Sequence, residues 1–223
     1  MTFALCDPST AQGYVVESVY TRIPDPKISL TEKGKAQAEA CGNKIKQMIE
    51  IEHGQHWQVY FYVLPYRRTL QTLQHVARPF ERSRTVGFRE EPHIRSHSKV
   101  NFQNREKMRV EKALRQLYGC FFYRFPNGES AADVYDRITG FKETLRTDIN
   151  IGRYQAPEER KIEMNLVIVS HSLTLRVLLM MWYKWTVQQF EGLNNFGNGN
   201  MLVMEKGHGG RPIDVKLREK RHL

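Results

Sequence analysis

The 223-residue chain carries 34 Lys and Arg against 24 Asp and Glu, giving a net charge of +10 and a pI near 9.6. Its 40% apolar and 26% charged residues suit a soluble globular protein with a proper core, and no apolar run is long enough to cross a bilayer. The start, MTFALCDPST, lacks the basic region and apolar core of a secretory signal, and Cys6, Cys41 and Cys120 are too few and too scattered for a disulfide framework or a zinc site, so a reducing, cytoplasmic compartment is expected.

In chain order, Thr2 to Cys6 is a short apolar run fit for a strand. From Thr31 the spacing predicts a capped helix with Ala38, Cys41, Ile45 and Met48 on one face. Gln58 to Val63 is β-branched and aromatic and stops at Leu64-Pro65, the pattern of a buried strand. A helix from Thr69 to about Pro79 follows, and a charged amphipathic helix spans Asn104 to Tyr118. Phe125-Pro-Asn-Gly128 is a turn, after which Ser130 caps a helix with Asp133 in capping-box position and Val134, Ile138, Phe141 and Leu145 as its stripe. Asn165 to Val169 is a strand, Thr174 to about Trp185 a helix, and Met201 to Glu205 a closing strand. Alternating strands and helices imply an α/β sandwich on a mostly parallel sheet. With no repeat or linker, one domain over residues 1–223 with a basic tail from about 207 is the economical reading.

Ligands of such sheets bind at the carboxyl ends of strands, which singles out the junctions Cys6–Ser9, Leu64–Thr69 and Ser170–Thr174. At the second, Arg67 and Arg68 stand beside a helix N-terminus, where guanidinium forks and free N–H groups can hold an anion. At the third, His171 could bind a phosphate oxygen, act as nucleophile, or move a proton. Taken singly, the arginines could be a surface pair and His171 a core histidine; together in one sheet they favour an anion pocket.

The segments Pro65-Tyr-Arg-Arg-Thr69, Phe125-Pro-Asn-Gly-Glu-Ser130 and Val169-Ser-His171 with Leu173-Thr-Leu-Arg176 resemble the histidine phosphatase superfamily, in its phosphoglycerate-mutase-like branch. Ser18 to Gly34, Arg89-Glu-Glu91, Asn101-Phe-Gln103, Phe121 to Pro126 and Phe190 to Asn198 extend the resemblance from about Gly13 to Glu205. It implies a three-layer α/β/α fold, no cofactor, a phosphorylated small molecule or other phosphate-bearing ligand, and chemistry through a phosphohistidine. In that family an Arg-His-Gly motif after the first strand supplies the nucleophile. Matched by position, Arg68 is the second phosphate-holding arginine and His171 the second histidine. Glu91 or Glu90 is the first choice for the acid that protonates the leaving group, Glu129 the second, and Asn198 lies near the pocket.

The first motif is absent. Counting back from Gly13 and Ser18, its arginine falls on Asp7, its histidine on Pro8 and its glycine on Ser9. Proline has neither nucleophile nor N–H, and Asp7 brings a negative charge where a cation belongs. Leu64 replaces a serine, Ser172 a glycine, and Arg95-Ser-His-Ser-Lys-Val100 replaces an acidic run, placing His97 and Lys99 at the expected rim. The resulting expectation is a catalytically impaired family member, a pseudoenzyme, that keeps a partial phosphate pocket. Two alternatives remain: an active phosphatase or mutase whose N-terminal segment is misrepresented in this sequence, and a basic anion-binding protein on the same fold. Nucleic acid is not the expected partner, since no recognised nucleic-acid motif accompanies the charge.

Overall fold

The computed structural model describes residues 2–6, 24–95, 105–155, 162–194 and 201–205. Among these residues, five strands, β1 (Thr2–Cys6), β2 (Trp57–Val63), β3 (Thr85–Glu90), β4 (Glu163–Val169) and β5 (Met201–Glu205), form one sheet in the order β3-β2-β4-β1-β5. All neighbours are parallel except β1 and β5. The helices are α1 (Glu32–His53), α2 (Arg67–Val76), α3 (Arg105–Tyr118), α4 (Ala131–Ile151), α5 (Ser172–Tyr183) and α6 (Val187–Glu191).

Side chains alternate along β2 and so build two cores. Val59, Phe61 and Val63 pack with Ala38, Cys41, Ile45 and Ile49 of α1 and Leu73 and Val76 of α2. Tyr62 packs the other way, with Val134, Ile138, Phe141 and Leu145 of α4 and Leu175, Leu178 and Leu179 of α5. β4 is covered on both faces, which explains its continuous apolar run. The expected α/β/α sandwich is therefore what forms.

Thr31 caps α1 as expected, its hydroxyl accepting from the Gly34 N–H at 3.1 Å. Met48 is only half-buried; Ile49 takes the core position instead. α2 begins at Arg67, two residues earlier than the sequence pattern suggests, and ends at Val76. α5 likewise begins earlier, at Ser172, and ends at Tyr183. β3 was not legible at all. It is an edge strand with Gly87 at its centre and exposed Val86 and Phe88, so it lacks a buried stripe. Where α1 crosses α2, a Cβ added at Gly42 would stand 2.3 Å from the carbonyl oxygen of Val76.

A buried polar cluster lies on the α4 side of the sheet. The Tyr62 hydroxyl is 2.6 Å from that of Tyr154 and donates to Asp148 Oδ2 at 3.3 Å. Burial, chiefly, raises both phenols, Tyr154 to about 12, from an ordinary value of 10.0. The folded state thus keeps these protons after the unfolded chain releases its own. Their stabilising effect is complete below pH 10 and is lost as pH rises from there toward 12. Urea unfolding of the parent chain should show stability falling through this window, with Tyr154→Phe giving a shallower fall. Equal slopes would show that the phenols do not control it.

Candidate functional site

β2 and β4 are in register with Val63 opposite Val169, so both strands leave the sheet at one level. Arg68 lies in the first turn of α2 and His171 is the N-cap of α5. Both are buried, Arg68 4% and His171 7% exposed. Arg68 Nη2 is 2.8 Å from His171 Nε2. Guanidinium can only donate, so Nε2 accepts and the imidazole proton sits on Nδ1.

The remaining face of Arg68 belongs to Asp25. Nη1 donates to the Asp25 carbonyl oxygen at 2.7 Å and to Oδ1 at 3.0 Å, and Nη2 donates to Oδ2 at 3.2 Å. The Tyr66 ring lies under the guanidinium, 5.0 Å from its carbon, and 6.0 Å from the His171 ring. Burial, reinforced by the Asp25 charge, holds the Tyr66 phenol above its usual range. Tyr66 is therefore a neutral hydroxyl beside a cation.

A second cluster adjoins the first. Glu129, just before the Ser130 cap of α4, accepts from Arg95 Nη2 and, at 3.1 Å, from Arg137 Nη2. Arg137 Nη1 donates to the carbonyls of His93 and Arg95. From the β4–α5 junction, the Ser170 hydroxyl donates to the Ile94 carbonyl at 2.6 Å and Thr174 to the Arg95 carbonyl at 3.0 Å. These bonds lock the backbone of residues 94–95 to the turn that carries His171. Among the described residues, Arg68, Arg95 and Arg137 outnumber Asp25 and Glu129, a balance suited to a multiply charged anion.

Of the residues singled out from sequence, the structure thus brings Arg68 and His171 into contact and sets Glu129 in the adjoining cluster. Glu91 is buried, and its carboxylate caps the Pro92–Ile94 turn, accepting from the His93 N–H at 3.1 Å and from His93 Nδ1 at 2.6 Å, with Arg89 at 3.6 Å. Glu90 is exposed at the end of the edge strand β3. Asp7, Pro8, Ser9, His97, Lys99 and Asn198 lie outside the described residues. Sequence reasoning missed Asp25, Arg95 and Arg137 as site residues. Asp25, between two prolines, lay in the Ser18–Gly34 stretch of the resemblance without a role assigned to it, and Arg137 sat on a helix face among other charges.

Solved structures share this architecture. A mycobacterial glucosyl-3-phosphoglycerate phosphatase superposes with a TM-score of 0.66 at 19% identity, covering 96% of this chain and 97% of that one. The alpha-ribazole phosphatase of Shigella flexneri gives 0.64 at 16% identity, covering 96% and 95%. At the sequence level, a phosphoglycerate mutase-like protein of Arabidopsis thaliana is 50% identical over 202 residues, 89% of this chain and 71% of that protein. A second Arabidopsis thaliana phosphoglycerate mutase-like protein is 49% identical, and the match spans only 63% of its length. A broad-range acid phosphatase of Saccharomyces cerevisiae is 43% identical over 117 residues, 52% of this chain and 34% of that protein. The family model described as histidine phosphatase superfamily (branch 1) matches residues 15–216, and on this agreement of sequence and fold the chain belongs to that superfamily.

Proposed function

We propose that this phosphoglycerate-mutase-like chain binds the phosphoryl group of a small molecule at Arg68 and His171 without turning it over by a phosphohistidine route. The observation that carries the reading is the 2.8 Å contact between these two buried side chains, delivered from neighbouring parallel strand ends. Their juxtaposition sets a guanidinium fork at the strand ends against an imidazole that holds it, with Tyr66 and Arg95 beside it. The turnover step is missing because Asp7, Pro8 and Ser9 stand where the family's Arg-His-Gly belongs, and no side chain of the three is a nitrogen nucleophile. Glu129, among the carboxylates considered, is best placed to meet a ligand through Arg95; Asn198 remains a proposed pocket residue.

Titration with inorganic phosphate tests the pocket. Loss of a charge-assisted bidentate donor in Arg68→Ala should weaken binding on the order of tenfold to a hundredfold. Incubation with phosphomonoesters should leave no acid-labile phosphoprotein. Phosphate binding indifferent to Arg68→Ala, or a trapped phosphohistidine, would overturn the reading. The resemblance to a broad-range acid phosphatase favours a second reading, an active phosphatase whose natural N-terminal segment differs from residues 7–9 here. A transcript encoding Arg-His-Gly at those positions would establish it.

A further inference from the structure

We propose that Asp25 is a built-in competitor for the phosphate pocket, a carboxylate that occupies the Arg68 fork until a phosphoryl group displaces it. This rests on the reading of Arg68 as a phosphate ligand. The donors of the guanidinium can be followed one by one. Nη1 donates to the Asp25 carbonyl and to Oδ1, and Nη2 to Oδ2 and His171. Nε is buried with no partner among the described residues. All four terminal N–H groups are thus engaged, and two of them, one on each terminal nitrogen, hold the Asp25 carboxylate in the fork geometry a phosphate would use.

The carboxylate is built to leave. Its side chain is 60% exposed, against 5% for Arg68. It sits on the short turn Asp25–Lys27, none of whose residues is buried. Rotation about its Cα–Cβ bond would return it to water without moving the backbone. The Asp25 carbonyl, meanwhile, would keep Nη1, and His171 and the Tyr66 ring would still fix the guanidinium. Downstream, the Leu30 N–H donates to Gln71 Oε1 of α2 at 2.6 Å, which tethers the segment to the helix that carries Arg68. Arginine orientation therefore does not depend on the carboxylate. What Asp25 adds is a negative charge that any anion must replace. A monoanion gains little by the exchange, whereas a phosphoryl dianion brings more charge and more acceptor oxygens to the same donors.

The test is titration of the full chain with inorganic phosphate in the parent, Asp25→Asn and Asp25→Ala, with thermal unfolding to confirm that each is folded. Both variants should bind phosphate about threefold to tenfold more tightly. The gain should persist at about 0.5 M salt, because direct displacement survives where through-space repulsion is screened. Unchanged or weaker binding in both variants would show that Asp25 orients Arg68 rather than blocking it. A gain that vanishes with salt would reduce Asp25 to a distant charge, and either result overturns the proposal. If parent binding depends on Arg68 and the Asp25 variants bind no tighter, this inference fails alone. If neither the parent nor any variant binds phosphate, the pocket reading fails and takes the inference with it.

Discussion

The Asp7→Arg/Pro8→His double variant is expected to hydrolyse phosphomonoesters at least a thousandfold faster than the parent chain, roughly the scale on which a missing nucleophile suppresses turnover. The reasoning begins with register. β1 lies beside β4 with Cys6 opposite Val169, and position 8 follows Cys6 in sequence by the same interval at which His171 follows Val169. The double variant restores a nucleophile and removes the one negative charge in that segment. Attack of the imidazole on phosphorus would form the nitrogen–phosphorus bond as the ester P–O bond breaks, the departing oxygen taking its proton from solvent, and a water would then break the nitrogen–phosphorus bond to release phosphate. The measurement is turnover of a phosphomonoester panel, with detection of acid-labile phosphoprotein in the variant. A folded variant with no gain would mean that the pocket lacks more than this motif. Turnover in the parent that disappears in His171→Ala would mean that His171 itself carries the chemistry, contrary to the proposal.

Glycine to alanine should have opposite signs in two helices of this fold. In α1, alanine at Gly42 would press its methyl against the backbone of Val76, 2.3 Å from the carbonyl oxygen and 2.9 Å from its carbon. Backbone cannot rotate away as a side chain can, so α1 and α2 must separate. Even after alanine's helix-propensity advantage of about 1 kcal/mol, a net loss of about 1–3 kcal/mol is expected. In α4, a Cβ at Gly140 meets nothing within 4 Å, and the same change should stabilise by about 0.5–1 kcal/mol. Denaturant unfolding of Gly42→Ala and Gly140→Ala checks both. Because α2 carries Arg68, Gly42→Ala should also weaken phosphate binding, whereas Gly140→Ala should not. Equal stability changes would refute the packing argument.

The core elements were legible because their signals are local and redundant. β4 reads as an apolar run because both its faces are covered, and α4 announces itself through the Ser130–Asp133 box and the stripe from Val134 to Leu145. β3 was hidden because an edge strand has only one neighbour to satisfy and tolerates Gly87 and exposed Phe88. The site divides in the same manner. Arg68 and His171 could be found because strand ends followed by helix starts mark ligand positions in parallel sheets. Their partners could not, because Asp25 and Arg68 are 43 residues apart and nothing local couples them. Glu91 shows the converse: a carboxylate beside a recognisable motif, drawn into capping a turn by the geometry of its own neighbours.

The position of β1 has a consequence for how the molecule comes together. Its five residues form bonds on one side with β4 and on the other with β5, so that Thr2 faces both Asn165 and Glu205. Among the described residues, the first strand therefore slots between the last two. Its bonds to β4 need residues 163–169 and its bonds to β5 need residues 201–205, both far along the chain from α1, β2 and α2, which can associate without it. Contacts of such sequence separation form slowly, because a long loop must close before any bond rewards it. Any substitution that weakens β1 should slow this last step while leaving the α1–β2–α2 half intact. Cys6, level with Val169 at the carboxyl end of the sheet, thus takes its place late, by the meeting of two distant parts of the chain.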